Sequence, residues 1–326
     1  MRRRYFITLL ASTVAAWPLP VHAQQADRVR RVGFFMPYAK GDAENQFRIQ
    51  AFRQELAKLG WAEGRNVQFE EHWTTDNMDL VRTTLMTSNP DVVVATGGRV
   101  VPILMQLSRS IPIVLPGGSD PVGVGYAETL AHPGGNVTGF AMFELSMLAK
   151  SLEILKQIAP AIVPVAMIYN PDNPNSAFYR RIFATASGPL AIERIDASIH
   201  GLADLDRVVT SLAAGQNGGI FFLPDVTTNA LRSEIVQLVA QRRLPAMYSE
   251  EFFVRLGGLA FYGADRIDLF RRSAGYVDRI LRGEKAADLP FQQPTKYELK
   301  INLKSAKSLG LVIPQSLLAT ADEVIE

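Results

Sequence analysis

From Arg31 onward the chain alternates short apolar runs, rich in β-branched and aromatic residues, with longer stretches whose apolar positions recur three or four apart. The first pattern suits buried strands and the second amphipathic helices, so their alternation predicts parallel sheets flanked by helices. In the first half the expected strands are VGFFMP (32–37), NVQFEEHW (66–73), DVVVAT (91–96) and IPIVLPG (111–117). Between the first two, Ile49, Phe52, Leu56 and Leu59 share a helical face, Asp42 stands upstream as a cap and Gly60 ends the helix.

The second half repeats this order. Leu148, Leu152 and Leu155 mark a helix stopped by Pro160, and the strands VPVAMIYN (163–170), AIERIDAS (191–198), GGIFFLPD (218–225) and LPAMYSEE (244–251) follow. RSIPIV at 109–114 and RRLPAM at 242–247 each run from a basic helix end into a proline-opened strand, at the fourth strand of each half. This predicts two like α/β lobes. Beyond them, LGGLAFYG (256–263) reads as a strand, and Leu269, Ser273, Val277 and Ile280 with Phe270 and Leu281 outline a helix. A tail of about 65 residues is too short for a third such domain, so it is expected to cross between the lobes and form a hinge. The expected division is a signal at 1–23, lobe 1 at 29–145 completed by about 257–285, and lobe 2 at 146–256 completed by part of about 286–326.

The first residues, MRRRYFITLLASTVAAWPLPVHAQQ, change the picture of where the protein works. An arginine cluster, an apolar run and Val21-His22-Ala23 before Gln24 form the pattern of a cleaved export signal, and Arg3-Arg4-Tyr5-Phe6-Ile7 resembles its twin-arginine form. The apolar run is shorter than the roughly 20 residues that span a bilayer. The expected location is therefore the periplasm. Without residues 1–23 the formal charge falls from +2 to −1, because three arginines and no acid leave, and nothing in that balance calls for nucleic acid. The chain has no cysteine, which excludes disulfides, thiolate metal sites, thiol catalysis and a lipid-bearing cysteine at the cleavage point.

In open α/β sheets ligands bind beyond the carboxyl ends of the strands, where loops converge and helix amino ends offer free N–H groups. Those ends are Pro37-Tyr38, Thr96-Gly97-Gly98-Arg99 and Gly117-Gly118-Ser119-Asp120 in lobe 1. In lobe 2 they are Tyr169-Asn170, Pro224-Asp225 and Tyr248-Ser249-Glu250, with Phe261-Tyr262-Gly263 beside a crossing. Thr96, Gly97, Gly98 and Ser119 supply neutral donors for a carboxylate. Asp120 or Asp225 could answer an ammonium, and Tyr38, Tyr169, Tyr248 and Tyr262 an apolar or aromatic body. Each position also has a bland use: glycine after a strand as turn residue, aspartate as helix cap, tyrosine as half-buried core.

Enzyme signatures are sparse. There is no GK[ST] after Thr96-Gly97-Gly98-Arg99, no G-x-G-x-x-G after the first strand, no H-E-x-x-H and no G-x-S-x-G. His72, His132 and His200 are isolated, and no metal or cofactor is implied. Ala131 to Phe140, AHPGGNVTGF, is strong turn chemistry just before the first expected crossing.

Several blocks resemble the substrate-binding proteins of bacterial ATP-binding-cassette importers with the type I periplasmic binding protein fold. They are AFRQELAKLGWAEGRNV (51–67), PDVVVATGG (90–98), IPIVLPGGSDPVGVG (111–125), HPGGNVTGF (132–140), GGLAFYGAD (258–265) and LFRRSAGYVDRILRGEKAADLPFQQPTKYELKINLKSAKSLGL (269–311). The resemblance implies two Rossmann-like lobes joined by three crossings, a small ligand gripped between them and delivery to a membrane permease. It also implies that Thr96, Gly97, Ser119, Asp120, Tyr169, Asn170, Asp225 and Tyr262 are site residues. Some relatives are associated with aromatic amino acids. The expectation is a monomeric, non-enzymatic receptor for an amino-acid-like or aromatic carboxylate. A ligand-presenting sensor subunit and a secreted α/β hydrolase are the alternatives.

Overall fold

In the computed structural model, which describes residues 28–75 and 77–326, the apolar runs lie at the centres of two separate sheets. Lobe 1 runs β1 (Arg30–Met36), α1 (Ala43–Lys58), β2 (Val67–Trp73), α2 (Met78–Ser88), β3 (Val92–Ala95), α3 (Val100–Leu107), β4 (Ile113–Gly118) and β5 (Val137–Ala141). Its strands are all parallel, in the order β2-β1-β3-β4-β5.

The chain then enters lobe 2 with α4 (Leu145–Ile158), β6 (Pro164–Tyr169), α5 (Ser176–Ser187), β7 (Glu193–Ser198), α6 (Leu202–Ala214), β8 (Gly219–Phe222), α7 (Val226–Ala230), α8 (Arg232–Gln241) and β9 (Ala246–Tyr248). The remainder is α9 (Phe252–Arg255), β10 (Ala260–Ala264), α10 (Arg266–Leu281), β11 (Tyr297–Asn302), α11 (Leu303–Ser308), α12 (Gln315–Thr320) and β12 (Glu323–Ile325). The second sheet has the order β12-β11-β10-β9-β8-β6-β7, parallel except where β11 runs against β10. The fold is therefore α/β with two Rossmann-like lobes, as the alternating pattern predicts.

Local chemistry explains the element ends. The Asp42 carboxylate accepts the Asn45 backbone N–H at 3.0 Å and caps α1, whose buried face carries Ile49, Phe52 and Leu56. Gly60, at φ +98°, takes the left-handed turn that follows. Beside it in the same core, α10 lays Leu269, Phe270, Ala274 and Val277 against α1 and the first sheet.

One boundary differs from the sequence expectation. The strand at 260–264, expected to help complete lobe 1 from about residue 257, pairs instead with β9, Ala260 opposite Met247, and belongs to the second sheet. The short α9 connection returns the chain beside β9, so pairing with that neighbour buries Ala260 and Phe261 without a crossing. The crossing comes at Asp265, whose carboxylate accepts the N–H groups of Ile267 and Asp268 and starts α10 in lobe 1. The others fall between β5 and α4 and between Gln292 and β11, with Gln292 bonded to Gly139 and Ala141 of β5 on the lobe 1 side of the hinge. The expected signal at 1–23 lies outside the described residues. No helix among the described residues is long and apolar enough to cross a membrane.

Candidate functional site

The carboxyl ends of both sheets face one another across a cavity of about 60 Å³. From lobe 1, Tyr38 follows β1, Thr96, Gly97 and Gly98 lead from β3 into α3, and Ser119 follows β4. Gly97 stands at φ +87°, and a Cβ there would lie 2.6 Å from the Pro37 ring, so this corner requires glycine. The Tyr126 hydroxyl donates to the Gly98 carbonyl at 3.1 Å and steadies the same turn.

Lobe 2 brings Asn173 and Asn175 from the loop after β6, Asp225 and Asn229 from α7, and Glu250 from beyond β9. Asp225 caps α7 and also lines the cavity. Its Oδ1 accepts the Thr227 N–H at 2.8 Å. Asn173 donates to its other oxygen at 3.0 Å. These partners are neutral, so the aspartate charge remains available to the cleft.

The lobes are in contact. Ser119 Oγ and the Tyr179 hydroxyl meet at 2.5 Å across the cleft. Arg232 pairs with Asp42 at 2.8 Å, and Arg255 with Glu44 at 2.7 Å. Deepest of these contacts is Glu250, 1% exposed, gripped by Arg266 at 2.6 Å and by Arg48 at 2.8 Å, both from lobe 1. Burial alone would raise the Glu250 carboxyl, but the guanidiniums of Arg266 and Arg48 outweigh it and hold the group below the usual carboxylate range. Burial likewise opposes charge on Arg266, and the neighbouring Glu250 carboxylate raises its pKa in spite of that. The phenols of Tyr38, Tyr126 and Tyr179 are pushed up by burial and stay protonated, able to donate.

Of the residues singled out from sequence, Tyr38, Thr96, Gly97, Gly98, Ser119 and Asp225 meet at this cavity. The other five do not line it. Asp120 sits at the edge, accepting the Gly123 N–H at 3.0 Å and pairing with Arg181 of lobe 2 at 3.3 Å. Asn170 lies one layer behind, donating to Thr227 Oγ1 at 2.9 Å and accepting from the Asp172 N–H at 2.9 Å. Tyr169 belongs to the core of lobe 2, with Arg180 over its ring, and Tyr262 stacks on Tyr297 at 6.0 Å. Tyr248, 2% exposed, is stacked on Phe222 and Phe253 at 5.1 and 4.9 Å. Tyr248→Ala is accordingly expected to cost about 3–5 kcal/mol of stability, the range for emptying a buried aromatic site. Chemical denaturation checks this, and loss of ligand affinity in a protein of unchanged stability would contradict it.

Sequence reasoning missed Tyr126, Asn173, Asn175, Tyr179, Asn229 and Arg266, and it named Glu250 only as part of a strand end. The run Asn170-Pro171-Asp172-Asn173-Pro174-Asn175 is a turn signal that continues directly from the Tyr169-Asn170 strand end, and could have extended that rim. Nothing local marks Arg266, which owes its place to the hinge crossing.

Residues 40–325 match the family described as ABC transporter substrate binding protein. The chain is 25% identical over 268 residues to a tyrosine-binding protein of Clostridioides difficile, covering 80% of this chain and 76% of that one. The fold overlays on a structure from Streptococcus pneumonia in complex with L-Trp at a TM-score of 0.84, with 22% identity, covering 91% of this chain and all of the other. Against a ligand-free, open Clostridium difficile substrate-binding protein the TM-score is 0.68, with 21% identity and coverage of 91% and 99%.

Proposed function

Because this chain belongs to the ABC transporter substrate-binding protein family, we propose that it is an exported receptor that closes on a small organic ligand and delivers it to the membrane permease of an ABC importer. An amino-acid-like or aromatic carboxylate is the ligand favoured. The observation that carries this reading is the two-sided cleft: hydroxyls and a helix amino end on lobe 1 face an uncompensated aspartate on lobe 2. Thr96, Ser119 and the start of α3 suit a carboxylate, and the rings of Tyr38, Tyr126 and Tyr179 suit an aromatic body. Relatives that bind tyrosine or hold L-Trp support the same class. Contacts made by both lobes at once exist only when the cleft is shut, so ligand shifts the population toward closure.

The test is a thermal-shift screen of the chain from Gln24 against aromatic and aliphatic amino acids, aromatic acids, nucleosides and sugars. A ligand at 100 times its Kd adds about 2.7 kcal/mol, enough to raise the midpoint by several degrees. The expected result is such a shift for an aromatic amino acid or acid, with the compound recovered unchanged. A shift confined to sugars or nucleosides would discard the ligand class, and conversion of the bound compound would discard the receptor role.

A further inference from the structure

We infer that the Oδ1 atoms of Asn175 and Asn229, with the Asp225 carboxylate, form a receptor for a protonated primary amine, so that the cleft selects an ammonium-bearing ligand over its deaminated counterpart. This rests on the reading of the cleft as a ligand site. Asn175 and Asn229 are only 6% and 4% exposed, and both line the cavity. Neither Oδ1 has a hydrogen-bond partner among the described residues. A buried acceptor left unpaired is costly, so two in one small cavity mark where donors from a ligand belong.

The orientation of the Asn175 amide follows from what its nitrogen does. Asn175 Nδ2 donates to Asn173 Oδ1 at 3.3 Å, which leaves its oxygen as the unsatisfied end. Asp225 caps α7 and Asn229 lies four residues on, one turn away on the same face. Asp225 contributes the negative charge, since its own partners are a backbone N–H and asparagine amides.

Three acceptors and one negative charge match an ammonium group, which has three donors and no acceptor. A hydroxyl in the same place offers a single donor, and a carboxylate would be repelled. All three acceptors belong to lobe 2, whereas the neutral donors Thr96 and Ser119 belong to lobe 1. The two ends of a zwitterion are thereby read from opposite lobes, and a molecule lacking either end loses its hold on one of them.

Calorimetry on the wild-type chain with L-tyrosine against 3-(4-hydroxyphenyl)propionate, and L-tryptophan against indole-3-propionate, tests this without any variant. The amino acid of at least one pair should bind 100-fold or more tighter than its deaminated partner. Asn229→Leu and Asn175→Leu should each lower affinity for that amino acid by 10-fold or more and leave the deaminated compound unaffected. Asn229→Ser serves where the leucine variant does not fold. Equal binding within a pair, or equal losses for both members in the variants, overturns the ammonium receptor while leaving the receptor for aromatic acids standing. Binding of neither pair overturns both.

Discussion

Glu250→Ala is expected to lower ligand affinity by about two to three orders of magnitude while moving the thermal midpoint of the unliganded protein by only a few degrees. Glu250 stands on lobe 2, and the two arginines that hold it, Arg48 and Arg266, stand on lobe 1. Removing one member of a buried ion cluster costs about 3–5 kcal/mol, because the partners keep their charge without compensation. That penalty applies only when the cleft is shut. Once the lobes separate, the guanidiniums regain water, so the loss appears in closure and hence in binding. A large fall in the midpoint with affinity intact would show the cluster to be part of the folded core and no latch.

The same group gives closure an acid limit. The folded-state pKa of Glu250 lies below its ordinary value of 4.5, so its contribution is fully present above that value and is lost as pH falls through the depressed one. Affinity is therefore expected to be insensitive to this group between about pH 5 and 8 and to weaken in more acidic buffer. In Glu250→Ala that acid-side weakening should be absent, which calorimetry across pH would reveal.

The halves of this cleft differ in how legible they were. Runs such as VGFFMP and DVVVAT announce central strands because they are apolar on both faces, and Thr96, Gly97, Gly98 and Ser119 follow from the rule that ligands meet strand carboxyl ends. That rule specifies a strand end and not the side to which its last residue points. Tyr248 closes β9 with its ring turned into the stack with Phe222 and Phe253, whereas Glu250 lies beyond the strand's end, in the turn that carries it into the cavity lining. Long-range pairs were invisible for another reason. Arg48 and Glu250 are 202 positions apart, and only the docking of one lobe on the other makes them neighbours. The strand at 260–264 was assigned by its order in the chain, whereas sheet membership is decided by the nearest unpaired edge, here that of β9.

Gly98→Val is expected to reduce ligand affinity by about 10- to 100-fold through steric obstruction of closure, with the unliganded protein as stable as the wild type. A Cβ on Gly98 would fall 2.7 Å from Asn173 Oδ1 and 2.8 Å from Asn175 Nδ2, both in the opposite lobe. Asn173 is not free to move aside, since it donates to Asp225 at 3.0 Å and to the Pro224 carbonyl at 3.3 Å. Gly98 is not among the glycines at positive φ, so valine needs no strained backbone within lobe 1, and the clash exists only when the lobes meet. Gly97→Val supplies the contrast. There the backbone is at φ +87° and the obstructing Pro37 ring lies in the same lobe, so the unliganded protein itself should lose roughly 1–3 kcal/mol. Calorimetry, thermal midpoints and the ligand-induced fall in radius of gyration separate the two variants. Wild-type affinity and compaction in Gly98→Val would mean that the ligand-bound lobes never come as close at this point as they do here.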